Sequence, residues 1–150
     1  MEKISLAIRF GLVTAAVLIA YFLILALFNL HINPAFSFFN AVITAFGIYE
    51  ATRLYKLQKP DEFSYGEGFK AGMITGSVAT ILFTIFFLVY STEINAEFLP
   101  ELLNAMNGGF NINEGLITFI VAIMGFATTL VSTLTVMQLF KKSRNMSESK

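Results

Sequence analysis

The stretch FSYGEGFKAGM (Phe63–Met73) holds Gly66, Gly68 and Gly72 with a glutamate and a lysine, and it opens onto a long apolar run. Glycines in this density fit either a phosphate-cradling loop or the start of a membrane helix. A P-loop requires G-x-x-x-x-G-K-[ST] after a strand. Gly66, Gly68 and Gly72 do not have that spacing, and no strand pattern precedes them. A dinucleotide G-x-G-x-x-G beginning at Gly66 would need a glycine where Ala71 stands. Gly68, Gly72 and Gly76 instead recur every fourth residue, and Thr80 extends the row. On a helix that row is one smooth face, and small-xxx-small faces let membrane helices approach closely. The stretch therefore reads as a helix-packing surface, and no cofactor is expected.

Working outward, the composition agrees. The chain has 150 residues, 56% hydrophobic and 13% charged, with a mean hydropathy of +0.71. Soluble domains carry about 25% charged residues. There is no cysteine or tryptophan and one histidine, which excludes disulfide and thiol chemistry. No Asp, Glu, Lys or Arg occurs in residues 10–49, 71–92 or 115–140. A crossing needs roughly 20 residues, so the first run holds two crossings joined by a turn at NLHINPAF (Asn29–Phe36). Pro34 suits the first turn of the second helix. The expected fold is an all-α integral membrane four-helix bundle. Its helices lie near 5–30, 34–56, 66–91 and 114–141, in one transmembrane domain, 1–142, with a flexible cytoplasmic tail, 143–150. The first helix is expected to be a span, since its apolar run is longer than a signal-peptide core and no small-x-small cleavage site precedes a polar chain.

With four crossings, all ten lysines and arginines fall on one side, from Lys3 and Arg9 through Arg53, Lys56, Lys59 and Lys70 to the C-terminal group. The positive-inside rule makes that side cytoplasmic, with both termini on it. Glu93, Glu97, Glu101 and Glu114 fall on the other side. The expected location is a bacterial inner membrane.

The outer loop EINAEFLPELLNAMNGGFNINEG (Glu93–Gly115) contains a short amphipathic segment. Ile94, Phe98, Leu102, Leu103 and Met106 share one side of a wheel, with Glu97, Glu101 and Asn104 opposite. Such a helix either lies on the membrane surface or packs back on the bundle. Pro100 places its start, Asn107-Gly108-Gly109 its end, and Asn113 caps the helix that follows.

AIRFGLVTAAV (Ala7–Val17) aligns without gaps to GFKAGMITGSV (Gly68–Val78), matching Gly11 with Gly72, Thr14 with Thr75 and Arg9 with Lys70. The chain is thus read as two helical hairpins in parallel repeat. Arg9-Phe10-Gly11, Gly47-Ile48 with Arg53, and Tyr65-Gly66 with Phe69 and Gly72 together resemble the uncharacterised bacterial membrane family catalogued as domain of unknown function 4199. Where members of that family often place an acid after the arginine, Leu54 stands here. The resemblance implies a four-helix integral membrane protein and brings no activity.

No metal-ligand cluster or catalytic constellation is present: the single His31 lies in the outer turn, and no base accompanies the serines and threonines. The chain is not expected to be an enzyme. Thr128, Ser132 and Thr135 share a face of the last helix, with Gly125 just before them. That face can line a path or serve packing. The expected role is an accessory or structural membrane subunit; the alternative is an oligomeric transporter- or channel-like protein for a small solute. Expected partners are the lipid bilayer and either a homo-oligomer or another membrane protein, not nucleic acid.

Three residue groups are singled out. Gly11, Gly68, Gly72 and Gly76 form helix-packing surfaces, with Gly11 and Gly72 expected where helices one and three approach. Arg9, Glu50, Arg53 and Lys70 form an inner-edge charge cluster, in which Glu50 pairs with one of the three cations. Tyr21, Asn40 and Thr84 form an outer polar layer, because polar groups in hydrocarbon need partners. Gly72→Leu is expected to lower thermal stability in detergent far more than Leu27→Ala. Equal unfolding temperatures for the two variants would remove the packing role of Gly72.

Overall fold

Helix α1 runs Glu2–Leu27 in the computed structural model of the chain, which describes residues 2–105 and 113–141. Its end is set by Asn29, whose backbone is left-handed at φ 56°. The Leu30 N–H donates to the Leu25 carbonyl at 2.9 Å and the Asn29 N–H to Ala26 at 3.1 Å. This is the Schellman arrangement, in which a glycine or asparagine ends a helix by taking the conformation other side chains avoid. It stops α1 three residues before the expected boundary at residue 30.

After this turn the Asn33 side chain accepts from the Ala35 N–H at 3.0 Å. Pro34 then opens a single 3-10 turn, Pro34–Ser37, that leads into α2, Phe38–Gln58. The stretch Phe63–Met73 leads into and forms the start of α3, Tyr65–Val89. Ser64 accepts from the Glu67 N–H at 3.2 Å. Ser64-Tyr65-Gly66-Glu67 is the S-x-x-E spacing of a capping box, a local signal that the glycines obscure. At its far end α3 loosens into a π turn, Tyr90–Ile94, closed by the Asn95 N–H on the Tyr90 carbonyl at 2.8 Å.

Helix α4 spans Phe98–Ala105. It begins two residues before Pro100, which is tolerated in a first turn where no N–H partner is required. Its start packs back on the bundle: Phe98 and Leu99 are 1% and 4% exposed, against Phe22, Phe87, Tyr90 and Ile117. Met106 and the expected Asn107-Gly108-Gly109 stop lie outside the described residues, as does the expected tail 143–150. Asn113 accepts from the Leu116 N–H at 2.8 Å and caps α5, Glu114–Phe140.

The described residues are helices and turns, without strand. α1, α5 and α3 with its π turn are long and apolar enough to cross a membrane. The 21 residues of α2 are not, because Glu50, Arg53 and Lys56 occupy its second half. The four long helices pack side by side, with α3 against α1, α2 and α5, and α2 against all three others. An axis exchanging the two hairpins would make the α2–α3 pair equivalent to α1–α5. α2 packs along α3, whereas α1 and α5 share no extended contact. The packing is therefore not that of two equivalent hairpins, and the sequence similarity of α1 and α3 reflects their common use of small residues.

Those small residues hold the helices together. Each glycine of this contact faces a side chain of the other helix: Met137 at Gly68, Thr133 at Gly72, Thr129 at Gly76, and in the reverse sense Thr80 at Gly125. Four antiparallel steps of α3 and α5 thus interlock. Gly72 also faces Ile48 of α2, and Gly47 of α2 receives Thr14 of α1. Gly11 faces Val78 and the Thr75 carbonyl of α3. Of the two glycines Gly11 lies at the approach of α1 to α3, and Gly72 faces α5 and α2, which corrects the expectation that the two mark one contact. The fully buried Thr75 hydroxyl donates across to the Ala7 carbonyl at 3.1 Å, pinning α3 to α1.

Filling one of these spaces tests the interlock. Gly76→Ala puts a methyl against Thr129 and is expected to cost about 1–3 kcal/mol, the range for overpacking. Thr129→Ala in the same chain should restore much of it, as measured by thermal or denaturant unfolding in detergent. A Gly76→Ala protein as stable as the parent would refute the interlock.

Candidate functional site

Polar and aromatic groups concentrate at the two ends of the helix assembly. At one end His31, in the turn after α1, is enclosed by rings from three elements. Its imidazole stacks on Phe98 of α4 with centroids 4.8 Å apart and planes at 10°. It meets the edge of Phe22 of α1 at 5.6 Å and that of Tyr90 at 6.0 Å. The Tyr90 hydroxyl is 3.4 Å from His31 Nε2. Phe22 in turn contacts Phe83, Phe86, Phe87, Tyr90 and Phe98. Edge-to-face pairs of this kind set a positive ring edge on a negative face. The π turn that begins at Tyr90 places its ring here, and such turns recur at sites that aim side chains.

His31 Nδ1 is buried without a hydrogen-bond partner among the described residues. Burial pushes the His31 imidazole below its usual 6.5, with Glu101 of α4 pulling the other way. The sequence gives no local sign of this box: Phe98 and Tyr90 are distant in the chain and reach His31 only because α4 folds back.

At the opposite end, ion pairs tie the start of α1 to the loop after α2 and to the first turn of α3. Lys3 Nζ is 2.8 Å from Glu62 and 3.8 Å from Glu67. Lys59 pairs with Glu62 at 3.4 Å and Glu2 at 3.5 Å, and Lys70 with Glu67 at 3.0 Å. The Glu62 carboxyl lies below the usual carboxylate range, chiefly because Lys3 donates to it, and Lys59 is raised chiefly by its bond to Glu62. Water screens these exposed pairs, so the network adds little to the stability of the fold. Lys56 Nζ lies over the rings of Phe63 and Phe140, at 5.6 and 5.3 Å.

The expected charge cluster divides. Glu50 bonds its own-helix neighbour Arg53 at 3.2 Å, three residues on. Lys70 is taken by Glu67, and Arg9 is exposed and joins neither pair. Similar depth did not bring these groups together, because α1, α2 and α3 turn them to different sides. The expected polar layer also divides. The Tyr21 hydroxyl donates to the Phe36 carbonyl at 2.9 Å, joining α1 to the turn before α2. Asn40 Oδ1 and Thr84 Oγ1 are buried without hydrogen-bond partners among the described residues. Thr129 and Thr133, which occupy the spaces opposite Gly76 and Gly72, were not singled out. Their four-residue spacing, continued to Met137, mirrors that of the glycines and was the available signal. Among the described residues no three His, Asp or Glu side chains are grouped as metal ligands.

A family model described as Protein of unknown function (DUF4199) matches residues 9–142. No curated protein and no solved structure matches the chain.

The His31 box has a pH consequence. The unfolded imidazole titrates near 6.5 and the folded one lower, so between the two values the unfolded chain binds more protons. The stabilising contribution is complete above 6.5 and is lost as pH falls through the folded value. The protein is expected to melt at a lower temperature at pH 5.5 than at pH 7.5, with His31→Phe losing that difference. Identical pH dependence in the parent and the variant would show that His31 stays unstrained when charged.

Proposed function

The chain belongs to the DUF4199 family, and we propose that it is an accessory or structural subunit of a bacterial inner membrane, without enzymatic activity. In this proposal α2 is a fourth crossing, shielded by α1, α3 and α5, and both termini face the cytoplasm beside the basic residues. The observation that carries the structural role is the use made of the α5 hydroxyls. Thr129 and Thr133 are fully buried in the spaces opposite Gly76 and Gly72, and Thr129 lies 3.4 Å from the Thr80 hydroxyl. Thr135 bonds its own Val131 carbonyl at 2.8 Å. A hydroxyl face spent on helix contacts is a packing surface.

A second reading, an oligomeric carrier for a small solute, is favoured by one observation. Thr52 Oγ1, Tyr55 Oη and Thr133 Oγ1 are buried without hydrogen-bond partners among the described residues, and unsatisfied oxygens in a bundle interior can serve a polar solute.

Affinity purification from mildly solubilised membranes separates the two. The accessory role predicts stoichiometric recovery of a second membrane protein and no solute flux above empty vesicles after reconstitution. Flux that Thr52→Val abolishes, with no companion protein recovered, would establish the carrier instead.

A further inference from the structure

Helix α2 presents an outward stripe whose second half, Glu50 and Arg53, does not suit lipid. Val42 and Phe46 are 63% and 64% exposed, and Glu50 and Arg53 continue the same stripe one and two turns on. The Arg53 side chain is half-exposed and the Glu50 side chain is 29% exposed. The exposed ion-pair network at Lys59 marks the water side of this end. At about 1.5 Å per residue, Glu50 lies about 13 Å and Arg53 about 9 Å along α2 from Lys59. The interfacial zone is about 5–7 Å thick on each side of the hydrocarbon. Glu50 therefore falls at hydrocarbon depth. A long arginine can snorkel, but the shorter glutamate cannot, and anionic headgroups would repel it.

The intrachain bond leaves lone pairs on Glu50 and N–H groups on Arg53 still to be satisfied. Two copies inserted in the same direction and related by a two-fold axis along the membrane normal would lay α2 beside α2. Glu50 then meets its own copy at equal depth, and the three-residue offset of Arg53, about 4.5 Å along the helix, lets each arginine reach across to the other copy's carboxylate. The pair is thus complementary to its own copy, whereas a lipid headgroup phosphate complements Arg53 alone.

We infer that two copies of this chain associate through the α2 stripe of Val42, Phe46, Glu50 and Arg53, each Glu50 bonding the second copy's Arg53 as well as its own. This rests on α2 crossing the membrane, and it supplies the surface through which an accessory subunit would self-assemble. Val42 and Phe46 form the dry part of the seam. Glu50 and Arg53 close a four-membered ring of alternating charge, which fixes the register of the two helices as buried polar groups do in coiled coils.

The chain has no cysteine, so a single introduced thiol reports its own neighbours. Val42→Cys and Phe46→Cys are expected to form disulfide-linked dimers on mild oxidation in native membranes. Ile123→Cys and Val131→Cys, equally exposed on α5, are expected not to. In the Val42→Cys background, E50R and R53E should each lower the crosslinked fraction about tenfold, because all four charges of the ring then have one sign. Coexpressing the two variants should restore it, since each supplies the charge the other lacks. Crosslinking no greater at Val42 than at Ile123, or no restoration by coexpression, overturns the inference. If a charge variant fails to fold, as judged by helical content in detergent, the thiol comparison decides alone. Recovery of a different membrane protein without self-crosslinking would refute this seam and leave the accessory role standing; self-crosslinking without any companion would do the reverse.

Discussion

Gly76 has no side chain because Thr129 fills the space where one would be, and the rest of the structure depends on this kind of contact. Lipid tails are as apolar as leucine, so burying apolar surface gives little reason for one membrane helix to prefer another over lipid. Close packing supplies the preference. The row Gly68, Gly72, Gly76 and Thr80 meets Met137, Thr133, Thr129 and Gly125 in antiparallel order. Each step admits a β-branched or flexible side chain where the other helix offers only backbone. Two of these hydroxyls meet each other, Thr80 and Thr129, and Thr75 donates to a neighbouring helix, whereas Thr133 Oγ1 has no hydrogen-bond partner among the described residues.

The same principle organises α1 and α2 around α3. Gly11 lets α1 approach the α3 backbone closely, and Thr14 fits against Gly47 while donating to its own Phe10 carbonyl at 2.7 Å. Thr44 and Thr118 likewise bond carbonyls one turn back. Backbone acceptors thus satisfy hydroxyls locally, which frees the methyl groups for packing between helices. α3 becomes the common partner of the other three long helices because it presents small residues on more than one face.

The two ends use different physics. Around His31, edge-to-face rings and a folded-back α4 make a dense plug in which a single imidazole is held by stacking more than by hydrogen bonds. At the Lys59 end, small residues Ala7 and Ala71 surround Tyr55, and charged side chains cover them with exposed pairs. The first end resists a charge in its interior; the second is built from charges at its surface.

Hydropathy and spacing in the sequence alone determined that the chain is helical, that its long apolar runs suit a membrane, and where α3 and α5 begin. These follow from local rules: runs free of charge, a capping asparagine at Asn113, and a glycine row with a period of four. The same row told that α3 packs closely, but not on what. Tertiary structure decided that Gly72 faces Thr133 and Ile48, while Gly11 lies at the contact of α1 with α3. It decided that Glu50 bonds Arg53, and that α4 turns inward to cover His31. The reason is that a smooth helix face fits any knob of the right size, and equal depth does not fix rotation about the helix axis. Which knob arrives, and which way each charge points, are settled only when all the helices share the same space.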